Sequence, residues 1–291
     1  DDMQIQKKNE EINQCKGEKN IELMGKSMIK VTMDKPEIDE ILKCSTNLHK
    51  KEVKLGDGKV YFGCYCRVEV LYKGKGTEDI LVLQDDVYLS KEEELIGVTS
   101  DMMASNDIDI VNYDSIVTPD DLGENRVVSV EFIIKGIIRV LSKEIVDIIK
   151  DAYSPTASID LVKKNYELGL VHGIVNTEVI LKDNLYLKNE NDRIGTIISC
   201  YGNPVITDKT IENDKIKIEG ILKVSVIYIT ADDEPKTYIC DGEIPFASAI
   251  DLKGTKASMT AVCKVHLESL DSTIEANTVG IRATISLCCK V

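Results

Sequence analysis

The chain has 291 residues, 50 acidic against 36 basic side chains, and a formal charge of −14. That length suffices for two domains of ordinary size, and that charge repels nucleic acid and anionic membrane surfaces alike. With no tryptophan and only 5% aromatics, Ile, Val and Leu must build the core, and such residues suit sheets when they alternate.

The first stretch, Asp1 to Asn20, is polar and charged, without the apolar h-region of a signal peptide. No apolar run anywhere approaches the roughly 18 residues of a membrane span. Synthesis in a reducing cytosol is therefore the expectation. Residues 1–19 read as a polar N-terminal arm, too poor in apolar surface to fold alone.

From residue 20 onward the chain repeats itself. Cys44 in Ile41-Leu42-Lys43-Cys44 matches Cys200 in Ile197-Ile198-Ser199-Cys200, 156 positions on. The same spacing carries Glu22-Leu23-Met24 onto Glu178-Val179-Ile180 and Val68 to Tyr72 onto Val224 to Tyr228. Small loop changes then shift it: Val87 corresponds to Ile244, and Val128–Val140 to Val279–Val291. Self-similarity at that length marks a duplicated module. The expected units are a first module over 20–165, with its link, and a second over 166–291.

The shared segments alternate with period two, which predicts strands. Val60, Phe62, Cys64, Cys66, Val68, Val70 and Tyr72 take one face, and Lys59, Arg67 and Glu69 the other. Their counterparts Ile216, Ile218, Gly220, Leu222, Val224, Val226 and Tyr228 face in. At the end of the first copy, Val130, Phe132, Ile134 and Ile138 point inward. One buried and one wet face is the antiparallel pattern, so the fold class is all-β, two tandem antiparallel β-sandwich modules. One short helix is predicted in the link. Ser142 caps it, Ile145, Ile148, Ile149 and Ala152 follow helical spacing, and Ser154-Pro155 stops it.

Catalytic chemistry is scarce. His49, His172 and His266 sit in no HExxH, and no GxSxG or phosphate-loop pattern occurs. His49 is expected in a loop and His266 on an outward strand position. Gly74-Lys75-Gly76 lies between strands and reads as a hairpin turn, and Asp107-Ile108-Asp109 lacks the spacing of a calcium loop. No enzyme activity, metal or cofactor is expected. The nine cysteines are an odd number, which points to buried thiols or intermolecular bridges. Cys64 and Cys66 share an inward face. Cys15 lies in the arm, and alternation puts Cys289 in and Cys288 out at the chain's end. Cys15, Cys288 and Cys289 are the candidates for cross-links between subunits.

Lys215-Ile-Lys-Ile-Glu-Gly220-Ile-Leu-Lys-Val-Ser-Val-Ile-Tyr228, followed by Asp241-Gly-Glu-Ile-Pro245-Phe246, resembles the SPOCS domain of endospore-forming bacteria. The first copy departs from that pattern: Cys64 replaces the glycine and Val87-Tyr88-Leu89 replaces Ile-Pro-Phe. The resemblance implies a protein of the spore coat, exosporium or spore appendages, made in the mother-cell cytoplasm and deposited on the spore surface. It supplies no catalytic residues. Two repeats and little else point to a structural, self-assembling subunit whose partners are copies of itself and other spore coat proteins. A coat morphogenetic adaptor and a carbohydrate-binding module are the alternatives.

Overall fold

The computed structural model describes residues 3–164 and 169–291. The expected boundary between the modules, at 165/166, lies outside the described residues. Twelve strands follow in chain order: β1 (Gln4–Lys30), β2 (Ile38–Gly56), β3 (Lys59–Gly74), β4 (Ile80–Glu94), β5 (Met103–Thr118), β6 (Val127–Tyr153), β7 (Ile174–Tyr186), β8 (Ile194–Glu212), β9 (Lys215–Thr230), β10 (Thr237–Asp251), β11 (Val262–Glu275) and β12 (Thr278–Lys290). They form four three-stranded antiparallel sheets, ordered β1-β6-β5 and β2-β3-β4 in the first half, β7-β12-β11 and β8-β9-β10 in the second.

Within each half the two sheets face one another, with β1 along β4 and β5 along β2, and correspondingly β7 along β10 and β11 along β8. The duplication reaches the irregularities. Bulges between Ile38/Glu40 and Ile41/Lys43 in β2 recur between Ile194/Thr196 and Ile197/Ser199 in β8. A third, between Ile110/Asn112 in β5, recurs between Leu267/Ser269 in β11. A bulge re-aims a strand and unpairs one residue, so shared bulges mark shared backbone paths.

The central strands carry the cores. Val60, Phe62, Cys64, Cys66, Val68, Val70 and Tyr72 of β3 are fully buried, and so, or nearly so, are Ile216, Ile218, Leu222, Val224, Val226 and Tyr228 of β9. Each such aliphatic or aromatic side chain contributes about 1.5–3 kcal/mol by leaving water. The copies fill one core layer differently. In the first, Gly25 lies opposite Phe132, and a Cβ on Gly25 would sit 2.3 Å from that ring. The equivalent pair in the second is Leu181 opposite Ala283. Conversely, Cys64 lies opposite Leu89 in the first copy, and Gly220 opposite Phe246 in the second. Cys64 in place of Gly220 and Leu89 in place of Phe246 are thus one exchange of bulk between directly paired residues.

Two strands depart from the duplication. β1 and β6 each run 27 residues, against 13 in their counterparts β7 and β12. The surplus of β6 is the segment expected as a helix in the link, and the expectation fails there. From Leu141 to Tyr153, β6 stays extended and pairs with β1 from Cys15 back to Gln4. Ile145, Ile148 and Ile149 fit helical spacing, but β-branched side chains and a continuous partner strand favour the ladder. The boundary drawn at residue 19 falls inside β1.

Candidate functional site

The modules meet along an asymmetric seam. On the first module's side, the irregularity of β2 between His49 and Glu52 holds Lys50 at φ 51°, turning its N–H outward. That N–H donates to Glu268 Oε2 at 2.9 Å, and Glu268 is the extra residue of the β11 bulge. Asn47 Nδ2 donates to the Leu267 carbonyl at 3.2 Å, and His266 Nε2 bonds the Leu48 carbonyl. Ser199 donates to Glu69, Lys264 pairs with Asp107, and Lys43 Nζ lies 3.5 Å from the centroid of the Tyr201 ring. The Lys264 ammonium holds the Asp107 carboxyl below the usual carboxylate range. Between these contacts runs a polar cleft of about 620 Å³, lined by Asn47, Arg67, Glu69, Gln84 and Tyr201.

The seam joins unlike surfaces of like modules. The first contributes β2, the outer face of β3 and β4, and the start of β5 at Asp107, whereas the second contributes β8, β11 and the end of β12 at Cys288. Ser225, the counterpart of Glu69, bonds Asp241 within its own sheet instead. Ile198 is 8% exposed, but its counterpart Leu42 is 47% exposed, and Val111, counterpart of Glu268, is 58% exposed.

The second surface is the two-stranded ribbon made by the surplus of β1 and β6. Lys7–Asp147 (3.7 Å), Glu11–Lys143 (3.1 Å) and Lys16–Glu144 (2.5 Å) pair across it. At its root, Asn13 Nδ2 donates to the carbonyls of Val171 and His172, 2.7 Å each. Ile5, Ile145, Val146, Ile148, Ile149 and Tyr153 are exposed along it. A two-stranded ribbon in water is marginal without further strands or a covering layer.

The histidines and cysteines fall as follows. His49 lies within β2 and not in a loop; it is buried, with Nε2 2.7 Å from Asp86 Oδ1 and its ring stacked on Tyr65. His172 Nε2 is 2.9 Å from the Lys253 carbonyl. No group of three His, Cys, Asp or Glu arranged for a metal occurs among the described residues. Cys64 and Cys66 are fully buried, and burial pushes their thiols up to about 11 and about 12. Of the cross-link candidates, Cys15 is exposed. Cys288 is half-buried and lines a second cleft of the seam with Lys51 and Lys264, a placement that strand alternation alone cannot show. Cys289 is shut in the core directly opposite Cys263, out of another subunit's reach while the chain is folded.

The fold defines a tandem all-β protein of two similar halves, joined by a polar seam and extended by a two-stranded ribbon. Residues 37–118 and 193–275 match the family described as SipL, SPOCS domain, and the chain belongs to that family. The match falls once in each module and spans the whole of β2–β5 and of β8–β11. It associates the chain with sporulation. No curated protein and no solved structure matches the chain. No helix among the described residues is long and apolar enough to cross a membrane.

Proposed function

We propose that this chain is a structural, self-assembling subunit of an endospore surface layer or appendage, made in the mother cell and deposited on the spore. The observation that carries the reading is the asymmetric seam. Two copies of one module associate through different surfaces, and a contact of that kind propagates when its rotation does not close. The outer face of β9 and β10, equivalent to the face that β3 and β4 turn toward the second module, is not covered by another strand among the described residues, and Tyr238 and Ile239 are exposed on β10. At the other end, Leu42 and Val111 are exposed at positions whose counterparts Ile198 and Glu268 lie in the seam. The acidic surface keeps the free subunit soluble until contacts accumulate.

Negative-stain microscopy of the purified chain over a range of concentrations tests this. Ordered sheets, ribbons or fibres are expected, and they should shorten when Leu42→Glu and Val111→Lys are introduced together. A single monomeric species at every concentration would sink the proposal.

A further inference from the structure

The ribbon has an open edge. β5 pairs with β6 only as far as Leu141, opposite Met103, and beyond it no described strand covers that side of β6. Residues 142–153 therefore present a row of backbone donors and acceptors beside exposed Ile145 and Ile149, 73% and 58% accessible. A long, apolar, open edge is a template for another strand.

The sequence of that edge complements itself. Laid antiparallel on a second copy about Asp147, Ser-Lys-Glu-Ile-Val-Asp-Ile-Ile-Lys-Asp-Ala sets Ile145 against Ile149 and Val146 against Ile148 on both sides of the centre. The next positions outward, at and beyond the one-residue bulge that β6 makes at Lys150 against β1, set Glu144 against Lys150 and Lys143 against Asp151. Every charge in this register but the central Asp147 meets its opposite, and Asp147 already carries Lys7 of its own ribbon. Lys143 and Glu144 are held by Glu11 and Lys16, so each new pair lengthens an existing one. Cross-strand pairs of β-branched residues and of opposite charges are the unit of sheet stabilisation, and like charges directly opposite are destabilising. Moving the register by one residue sets Lys143 against Ala152 or against Lys150 and loses both ion pairs.

We infer that the β6 edge, residues 142–153, is a two-fold contact between copies of this chain, giving a four-stranded sheet β1-β6-β6-β1 across the two subunits. The inference deepens the proposed assembly and rests on it only in taking a second copy as the occupant. It adds to the propagating seam a contact that closes on itself, so the pair can tie neighbouring rows of subunits together.

Sedimentation velocity at low salt on the full chain tests it. Lys150→Glu with Asp151→Lys sets Glu against Glu and Lys against Lys in the self-pair, and Lys143→Glu with Glu144→Lys sets Glu against Asp151 and Lys against Lys150. Each double variant alone is expected to self-associate at least about tenfold more weakly. An equimolar mixture restores all four ion pairs and should return to within about threefold of the wild type. Because the reversals at 143 and 144 also strain the ribbon's own pairs, Asp147→Cys gives an independent readout. The two-fold sets residue 147 directly opposite itself, with Cα atoms about 4.5–5.5 Å apart, inside disulfide range. Oxidation with glutathione disulfide should then yield a 147–147 linked peptide by mass spectrometry. Its absence, or homodimers of both reversal variants as tight as the wild type, would overturn the contact. Wild-type chain that still polymerises in that case leaves the proposed function standing.

Discussion

Replacing Gly220 by cysteine, with and without Phe246→Leu, tests whether the copies exchanged bulk across one strand pair. A Cβ at Gly220 would lie 2.3 Å from Phe246 Cζ and 2.6 Å from the Val205 carbonyl, closer than atoms approach. Overpacking of this kind costs about 1–3 kcal/mol, and removing a strand glycine returns about 0.5–1. The net expectation for Gly220→Cys is a loss of about 1–2 kcal/mol. Phe246→Leu alone leaves a space beside Gly220 and should also cost about 1–2 kcal/mol. The double variant reproduces the Cys64–Leu89 pair of the first copy and relieves the clash with the ring but not that with the Val205 carbonyl, so it should lie within about 1–2 kcal/mol of the wild type, a coupling of about 1–2 kcal/mol. The two modules share one chain, so a single melting curve would mix them. Hydrogen exchange read on peptides from β9 and β10 isolates the second module. Additive losses in the double variant, or a harmless Gly220→Cys, would refute the exchange.

Three further expectations concern the thiols, the seam and the ribbon. Maleimide labelling near neutral pH should modify Cys15 rapidly and leave Cys64, Cys66 and Cys289 untouched until urea unfolds the chain, because all three are buried; mass spectrometry of the labelled peptides checks this. The Asp107–Lys264 pair lowers the carboxyl in the folded chain, so its contribution is present above the unfolded value of about 3.8 and fades as pH falls through the lower folded value. Both side chains are more than half exposed, so the effect stays below about 1 kcal/mol. Hydrogen exchange at the seam should lose that acid dependence in Lys264→Ala. Asn13→Ala removes both bonds to Val171 and His172 and should raise exchange along Gln4–Lys16 while β3 and β9 stay protected, at about 1 kcal/mol per bond.

The duplicated sheets were legible in the sequence because burial imposes a period: the alternation of Val60 to Tyr72 and of Ile216 to Tyr228 names the inward faces residue by residue. The spacing from Cys44 to Cys200 recovers even the equivalence of bulged strands. What stayed hidden depends on neighbours distant in the chain. Ile145, Ile148 and Ile149 satisfy helical spacing, and nothing near them announces that β1 is their partner. The side chains of Gln4–Lys19 are polar, but ladder hydrogen bonds run through the backbone, which composition does not report. His49 looked like a loop residue because a bulge interrupts its strand. Cys288 is outward on its own sheet, as alternation requires, yet the seam covers that face, and only the placement of one module against the other shows it.

The pairing of β1 with β6 also sets an order of events during synthesis. β1 opens the first module and its partner closes it, running antiparallel from Val127 opposite Lys30 to Tyr153 opposite Gln4, so residues 4–16 have no strand to join until residues 141–153 have emerged. At about 5–20 residues per second the wait is roughly 8–30 s. Throughout it, a strand with two bare edges is exposed in a crowded cytosol beside other nascent copies of itself. Residues 4–19 meet that interval with Ile5 and Ile12 as their only aliphatic side chains, spaced among lysine, glutamate, asparagine and glutamine. A more apolar sequence would pair equally well with β6 once folded, but would aggregate before β6 arrived. The polarity of this segment is thus a property of the unfinished chain, which protects the strand until its own partner is made.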